Sequence, residues 1–174
     1  MDKNDFFIKS QIEISLGDIT ALINTGVFNA NILRPFREPV FISIILKLHD
    51  LLQKLSTLGK RINFTDDIPE GDITDLISKV RNAICHLNSP ENLLDKERQI
   101  KFVFNMIIGK CNAMAIGEKV KAKSDYDDDI AFYYGSYSLY FKRHIIRALQ
   151  DAQGKITELY PPNNTDPHAP IDSF

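Results

Sequence analysis

The most regular feature of the chain is a stripe of apolar residues, Phe41, Ile44, Ile45, Leu48, Leu51, Leu52, Leu55 and Leu58, spaced mostly three or four apart. That period matches one face of an α-helix, and Lys47, Asp50 and Lys54 fall mainly on the opposite side, so the segment predicts an amphipathic helix packed on one face. Pro39 suits its first position, where a missing N–H costs nothing, and Gly59 suits its stop. His49 is placed on the polar flank. A second stripe, Ile73, Leu76, Ile77, Val80, Ile84 and Leu87, follows Asp72, whose side chain can cap the helix, while Asp75 favours its positive end. This helix is expected to stop near Leu87, before Asn88-Ser89-Pro90.

Elsewhere the pattern is mixed. In Ser10 to Asn24, Ile12, Ile14 and Leu16 alternate like a strand, whereas Leu16, Ile19, Leu22 and Ile23 recur at helical spacing ahead of Gly26; a helix is favoured. Thr25 to Glu38, with Gly26, Asn29, Asn31 and Pro35, reads as a loop. From Gln99 to Gly109, Ile100, Phe102, Phe104, Met106 and Ile108 alternate as in a strand, and Ile130 to Tyr140, broken at Gly135-Ser136, is a second candidate. The two are expected to pair as a small antiparallel hairpin across the charged segment Glu118 to Asp129. A last helix is expected from Tyr140 or Phe141, with Ile145, Ile146, Leu149 and Ala152 on its apolar face and Gly154 as its stop. The predicted architecture is one mainly α domain over residues 1–160, a helical bundle with a small antiparallel β-hairpin inserted before the last helix. The proline-rich residues 161–174 are expected to form a mobile tail.

The chain has 174 residues, 44% hydrophobic and 25% charged, enough to bury a core without disulfide or metal. Lys47 ends the longest apolar run, Val40 to Leu46, far short of a bilayer span, and Phe6-Phe7-Ile8 is too short for a signal peptide, so a cytoplasmic protein with no membrane partner is expected. Cys85 and Cys111 lack paired metal or redox spacing and are expected to be buried free thiols. With a net charge of -2, nucleic-acid affinity would have to come from a local basic patch. No phosphate-binding glycine loop occurs, which removes the usual signal for nucleotide hydrolysis or dehydrogenation.

One run carries chemistry. In Arg81-Asn82-Ala83-Ile84-Cys85-His86, a fixed cation and a group that exchanges protons near neutral pH stand five residues apart on one predicted helix. Arg-Asn, then three residues, then His arises by chance in roughly one chain in a hundred of this length. The run resembles the Arg-x4-His motif of HEPN-superfamily ribonucleases, and its place on a capped helix after a long amphipathic one is similar to the family's paired central helices. The resemblance implies a HEPN-like bundle and a metal-independent endoribonuclease without cofactor, acting as a homodimer. Arg81 and His86 would be catalytic and Asn82 supporting. The implied reaction is attack of an RNA 2′-hydroxyl on the adjacent phosphate, leaving a cyclic phosphate end.

On an ideal helix Arg81 and His86 point roughly 140° apart. Either the helix must end or distort near His86, Arg81 must reach back, or two chains must combine their motifs. The implied setting is phage defence, stress response or a toxin–antitoxin pair with a neutralising protein partner. Control by modification of a tyrosine shortly after the histidine does not fit Leu87-Asn88-Ser89-Pro90. The alternatives are a non-catalytic HEPN-like module that binds RNA or protein, and an unrelated α+β interaction protein. Two further candidates stand outside the motif. Lys142, Arg143 and Arg147, with His144 and nearby Tyr133, Tyr134, Tyr137 and Tyr140, form a candidate RNA-binding stretch. Asp125, Asp127, Asp128 and Asp129 lack the glycine and distal glutamate of a calcium loop and read as a solvated turn, so no metal site is expected.

Overall fold

The computed structural model describes residues 3–29, 31–69, 71–86, 93–95, 100–101, 104–116 and 119–161. The first helix, α1 (Lys3–Asn24), settles the ambiguity of the N-terminal pattern: Ile12, Leu16 and Ile19 are buried, while Ile14, which an alternating strand would place with Ile12, is 62% exposed. Val27 and Phe28 then turn into the core. The expected loop after them is partly regular, since a 3₁₀ helix (Asn31–Phe36) containing Pro35 runs directly into α2 (Arg37–Thr57). Helix α2 therefore begins two residues before Pro39, which still lies in the first turn, where amides have no intrahelical acceptor.

Helix α2 is the centre of the molecule. Seven residues of its stripe, Phe41, Ile44, Ile45, Leu48, Leu51, Leu52 and Leu55, are buried, and it packs against α1, α3 (Ile73–Cys85) and α4 (Arg147–Leu159). Its end is a Schellman turn: Lys60 N–H donates to the Leu55 carbonyl at 2.8 Å and Gly59 N–H to Ser56 at 3.0 Å, with Gly59 at φ +72°.

Helix α3 opens on the cap expected from the sequence. The Asp72 carboxylate accepts from the Asp75 N–H at 3.0 Å, and the Asp75 carboxylate accepts from the Asp72 N–H at 3.3 Å. Arg61 joins them with a two-pronged bond to Asp72, at 2.8 and 2.9 Å, and a 2.6 Å bond to Asp75. Replacing Asp72 with alanine removes both the cap and the fork and is expected to lower stability by about 1–2 kcal/mol. Urea titration measures this, and an unchanged midpoint would show that the cap contributes nothing to the fold. Ile73, Leu76, Ile77 and Val80 are buried and Ile84 partly so, as expected; Leu87 lies outside the described residues.

Between α3 and α4 the chain is richer in strands than a single hairpin, so the architecture is mixed α and β. Strands β1 (Leu93–Asp95) and β2 (Ile100–Lys101) pair with each other. The expected pairing of the two longer strands is present, with β3 (Phe104–Ile108) antiparallel to β6 (Ile130–Tyr134) in the register Phe104 to Tyr134 through Ile108 to Ile130. The second candidate strand is itself a hairpin, β6 turning at Gly135-Ser136 into β7 (Tyr137–Tyr140). A further hairpin, β4 (Cys111–Ile116) with β5 (Lys119–Ser124), is inserted between β3 and β6. It explains why β6 is buried at every position. Ile130, Phe132 and Tyr134 face the helices, with Phe132 against Phe28 and Phe41 at ring separations of 4.8 and 4.9 Å. Ala131 and Tyr133 belong to a second cluster with Ile107, Ala122 and Tyr140.

The last helical segment starts as a π-helical turn (Phe141–Ile146), continues as α4 and passes Gly154 without stopping, because Ile156 beyond it is still buried. The expected tail lies outside the described residues beyond Pro161. Both cysteines are exposed, contrary to expectation: Cys85 is the last residue of α3 and Cys111 the first of β4, and element ends lie at the surface. Among the described residues no helix is long and apolar enough to cross a membrane.

Candidate functional site

Helix α3 ends at the motif. Cys85 is the final helical residue, and His86 caps it with φ −119° and ψ 84°, outside helical values. The backbone N–H of His86, an exposed residue, closes the helix by donating to the Asn82 carbonyl at 2.9 Å. Asn82 also holds the arginine, since its Oδ1 accepts from Arg81 Nη1 at 3.2 Å. One residue thus connects the other two, its side chain to the guanidinium and its carbonyl to the histidine backbone.

A fourth polar group stands beside these three. Gln53 of α2 donates to the Ser78 hydroxyl of α3 at 3.2 Å, and one turn along the antiparallel pair from that bond come His49 on α2 and Arg81–Asn82 on α3. His49 is half-buried, and burial holds its pKa below the ordinary 6.5; the Arg81 cation lowers it further, against the opposite pull of Asp50. At neutral pH its imidazole is uncharged. Sequence reading assigned His49 to a solvated flank, and its spacing after Ile45 and Leu48 gave no sign that α3 would cover that flank. Beyond α3's end lies Tyr134, whose phenol is raised above its ordinary value of 10.0 by burial, then by Glu38 at the start of α2 and by Cys85.

The second candidate, the basic stretch, is largely turned inward. The Asp129 carboxylate is buried and accepts four hydrogen bonds: from Ile130 N–H at 2.7 Å, Lys142 N–H at 2.8 Å, Arg143 N–H at 3.2 Å and Arg143 Nη1 at 2.9 Å. Arg143 also bonds Asp128 at 3.0 Å and lies 3.6 Å over the Tyr126 ring, while Arg147 bonds Asp66 at 2.9 Å and lies over Phe64. Lys142 is exposed, 3.8 Å from Asp128. Tyr133, Tyr134 and Tyr140 are buried in or beside the sheet, so they offer no face to an unpaired base. The aspartate run is likewise not a uniformly solvated turn, because Asp129 belongs to the interior and organises the first amides of the π-helical turn. Among the described residues no group of three His, Cys, Asp or Glu is placed to hold a metal ion.

His144 is buried in the same region. Its Nδ1 accepts from Tyr140 N–H at 3.1 Å, which leaves the proton on Nε2, 3.2 Å from the Asp66 carbonyl. Burial pushes the imidazole below its ordinary 6.5, opposed by the Asp66 carbonyl and by the Asp67 and Asp129 carboxylates and aided by Arg147. The unfolded chain takes up this proton at higher pH than the folded chain does. His144 therefore contributes its full stability above about pH 6.5, and the contribution falls as pH drops toward the folded-state pKa. The wild-type melting temperature is expected to fall between about pH 7 and pH 5 more steeply than that of the His144→Gln variant. Parallel pH dependences in the two proteins would remove His144 as the cause.

In comparisons with known protein families, curated proteins and solved structures, the chain matches none of them.

Proposed function

We propose that the chain is a metal-independent endoribonuclease of HEPN type that works as a homodimer. The observation that supports this most is the ending of α3 on the motif itself: His86 leaves the helix, and Asn82 ties Arg81 to the same turn. A guanidinium there stabilises the charge that grows on a phosphate in the transition state, and an exposed imidazole exchanges the proton of an attacking 2′-hydroxyl. His49, neutral beside Arg81, adds a second proton acceptor one helix away. The motif supplies an imidazole, a guanidinium and a carboxamide but no carboxylate, so the proposed reaction needs no bound cation. Its biological setting, on this reading, is a defence, stress or toxin–antitoxin system.

The test is cleavage of a mixed RNA pool by the purified protein. RNA should be cut to products with cyclic phosphate ends, a 2′-deoxy strand should survive, and EDTA should leave the rate unchanged. Light scattering should give twice the chain mass, because a two-fold interface lets each site draw on two copies of the motif. Activity lost to EDTA and restored by a divalent ion would contradict the metal-free chemistry, and a monomer that stays monomeric with RNA bound would contradict the shared site.

A further inference from the structure

Attack of a 2′-hydroxyl on the adjacent phosphate moves two protons. One leaves the hydroxyl as the new O–P bond forms, and one must reach the 5′-oxygen as its bond to phosphorus breaks. An imidazole enters the step either neutral or protonated, so each histidine performs one of the two transfers. A second copy of His86 across a two-fold axis has the same surroundings as the first, whereas an acid and a base working together call for unlike environments. The motif by itself contains one histidine, and the unlike second one is on the neighbouring helix.

The packing of α2 on α3 places it there. Gln53 donates to Ser78 at 3.2 Å; four residues back along α2 comes His49, and three and four residues on along α3 come Arg81 and Asn82, so the imidazole is level with the Arg81–Asn82 pair. That pair leads on to His86, since Asn82 accepts from Arg81 Nη1 at 3.2 Å through its side chain and from the His86 N–H at 2.9 Å through its carbonyl. His86 therefore follows about one turn, roughly 6 Å, further along α3. His49 is half-buried, yet it has no hydrogen-bond partner among the described residues, and the one sealed side-chain polar atom without a partner there is the Ser124 hydroxyl. Its imidazole thus opens to solvent with no structural bond to keep. The charges that act on it are Arg81 from α3 and Asp50 from α2, and burial with the Arg81 cation keeps it neutral at neutral pH, the form that accepts a proton.

We propose that His49 is the general base of the cleavage and His86 its general acid. The His49 imidazole takes the 2′-hydroxyl proton as the O2′–P bond forms. His86, as the imidazolium, gives a proton to O5′, which leaves with the electron pair of the P–O5′ bond, and Arg81 holds the non-bridging oxygens. The products are a cyclic phosphate and a 5′-hydroxyl, and proton exchange with water resets both histidines. The assignment rests on the ribonuclease reading and adds to it a residue that the six-residue motif does not contain.

The test uses the full chain and two substrates, a short RNA and a nucleoside 3′-phosphodiester of para-nitrophenol, whose leaving group departs without a proton. His49→Ala and His49→Gln should each slow both substrates by roughly 10²- to 10⁴-fold, because the 2′-hydroxyl still needs its base. His86→Ala should slow the RNA to that extent but the nitrophenyl ester by less than about tenfold. The fall of kcat/KM toward acid pH in the wild type, which reports protonation of the free base, should be absent from the His49 variants. Melts run beside the assays, and glutamine fills most of the space that alanine vacates. RNA cleavage at the wild-type rate by folded His49→Gln, with His86→Ala inactive, removes His49 and leaves the ribonuclease reading standing. Recovery on the nitrophenyl ester in the His49 variants instead of His86→Ala overturns the division of roles. His49 variants that both unfold make the residue structural and overturn the proposal. A wild type that cuts neither substrate removes the ribonuclease reading and this assignment with it.

Discussion

His86→Ala and Arg81→Ala are each expected to lower RNA cleavage by roughly 10²- to 10⁴-fold while the protein stays folded. For His86 the separation of chemistry from stability is built into the cap. The helix is closed by the residue's backbone N–H on Asn82, and that bond survives truncation of the side chain. For Arg81 the side-chain bond is to its neighbour Asn82, on a half-buried residue, so its loss opens no core cavity. Stability should change by no more than about 1 kcal/mol in either variant, a few degrees of melting temperature at this chain length. Arg81→Lys keeps the charge but not the planar fork and should recover only part of the rate. Cleavage of a mixed RNA pool, with melts run beside it, makes the measurement. Equal rates in wild type and both alanine variants would falsify the catalytic assignment, and a variant that unfolds instead would make its residue structural.

The largest effect on stability is expected at Asp129, a residue with no part in the proposed chemistry. Its buried carboxylate accepts from three backbone amides and one guanidinium, and alanine there strands all four donors at once. Removing one side of a buried, charge-assisted network costs about 3–5 kcal/mol, far more than an exposed ion pair contributes, because the abandoned groups stay desolvated. For a chain of this size that lowers the melting temperature by roughly 10 °C. Asn at the same position keeps one acceptor oxygen and should fall between wild type and alanine. Circular dichroism melts decide the matter. An Asp129→Ala protein that melts within a degree or two of wild type would mean that the π-helical turn holds itself without the carboxylate.

The contrast between Asp129 and Arg81 shows what kind of information each stretch of chain carries. Helix α2 was legible because its buried stripe repeats at the helical period, and α3 because the Asp72–Asp75 box closes within three residues; both depend on near neighbours. The same locality made Arg-Asn-x3-His visible on the last turns of α3. The apolar stripe predicted an end near Leu87, and the helix ends two residues earlier, at Cys85.

What the tertiary structure alone decided are the features whose partners lie far apart in the chain. Asp66 meets Arg147 and Tyr126 meets Asp67, so the apparent basic patch and the aspartate run are largely matched to distant charges and rings. β6 reads as a strand, but its burial on both faces needs the helices on one side and the β4–β5 hairpin on the other, and alternation in sequence specifies at most one face. His49 is held below its ordinary pKa by burial and then by the Arg81 cation, both set by what packs beside it. The sequence by itself determined helices α2 and α3, the Asp72 cap and the six-residue motif, because these arise from residues within one or two turns of each other. Only the fold decided which polar residues face one another, because burial and charge pairing depend on what another part of the chain brings alongside.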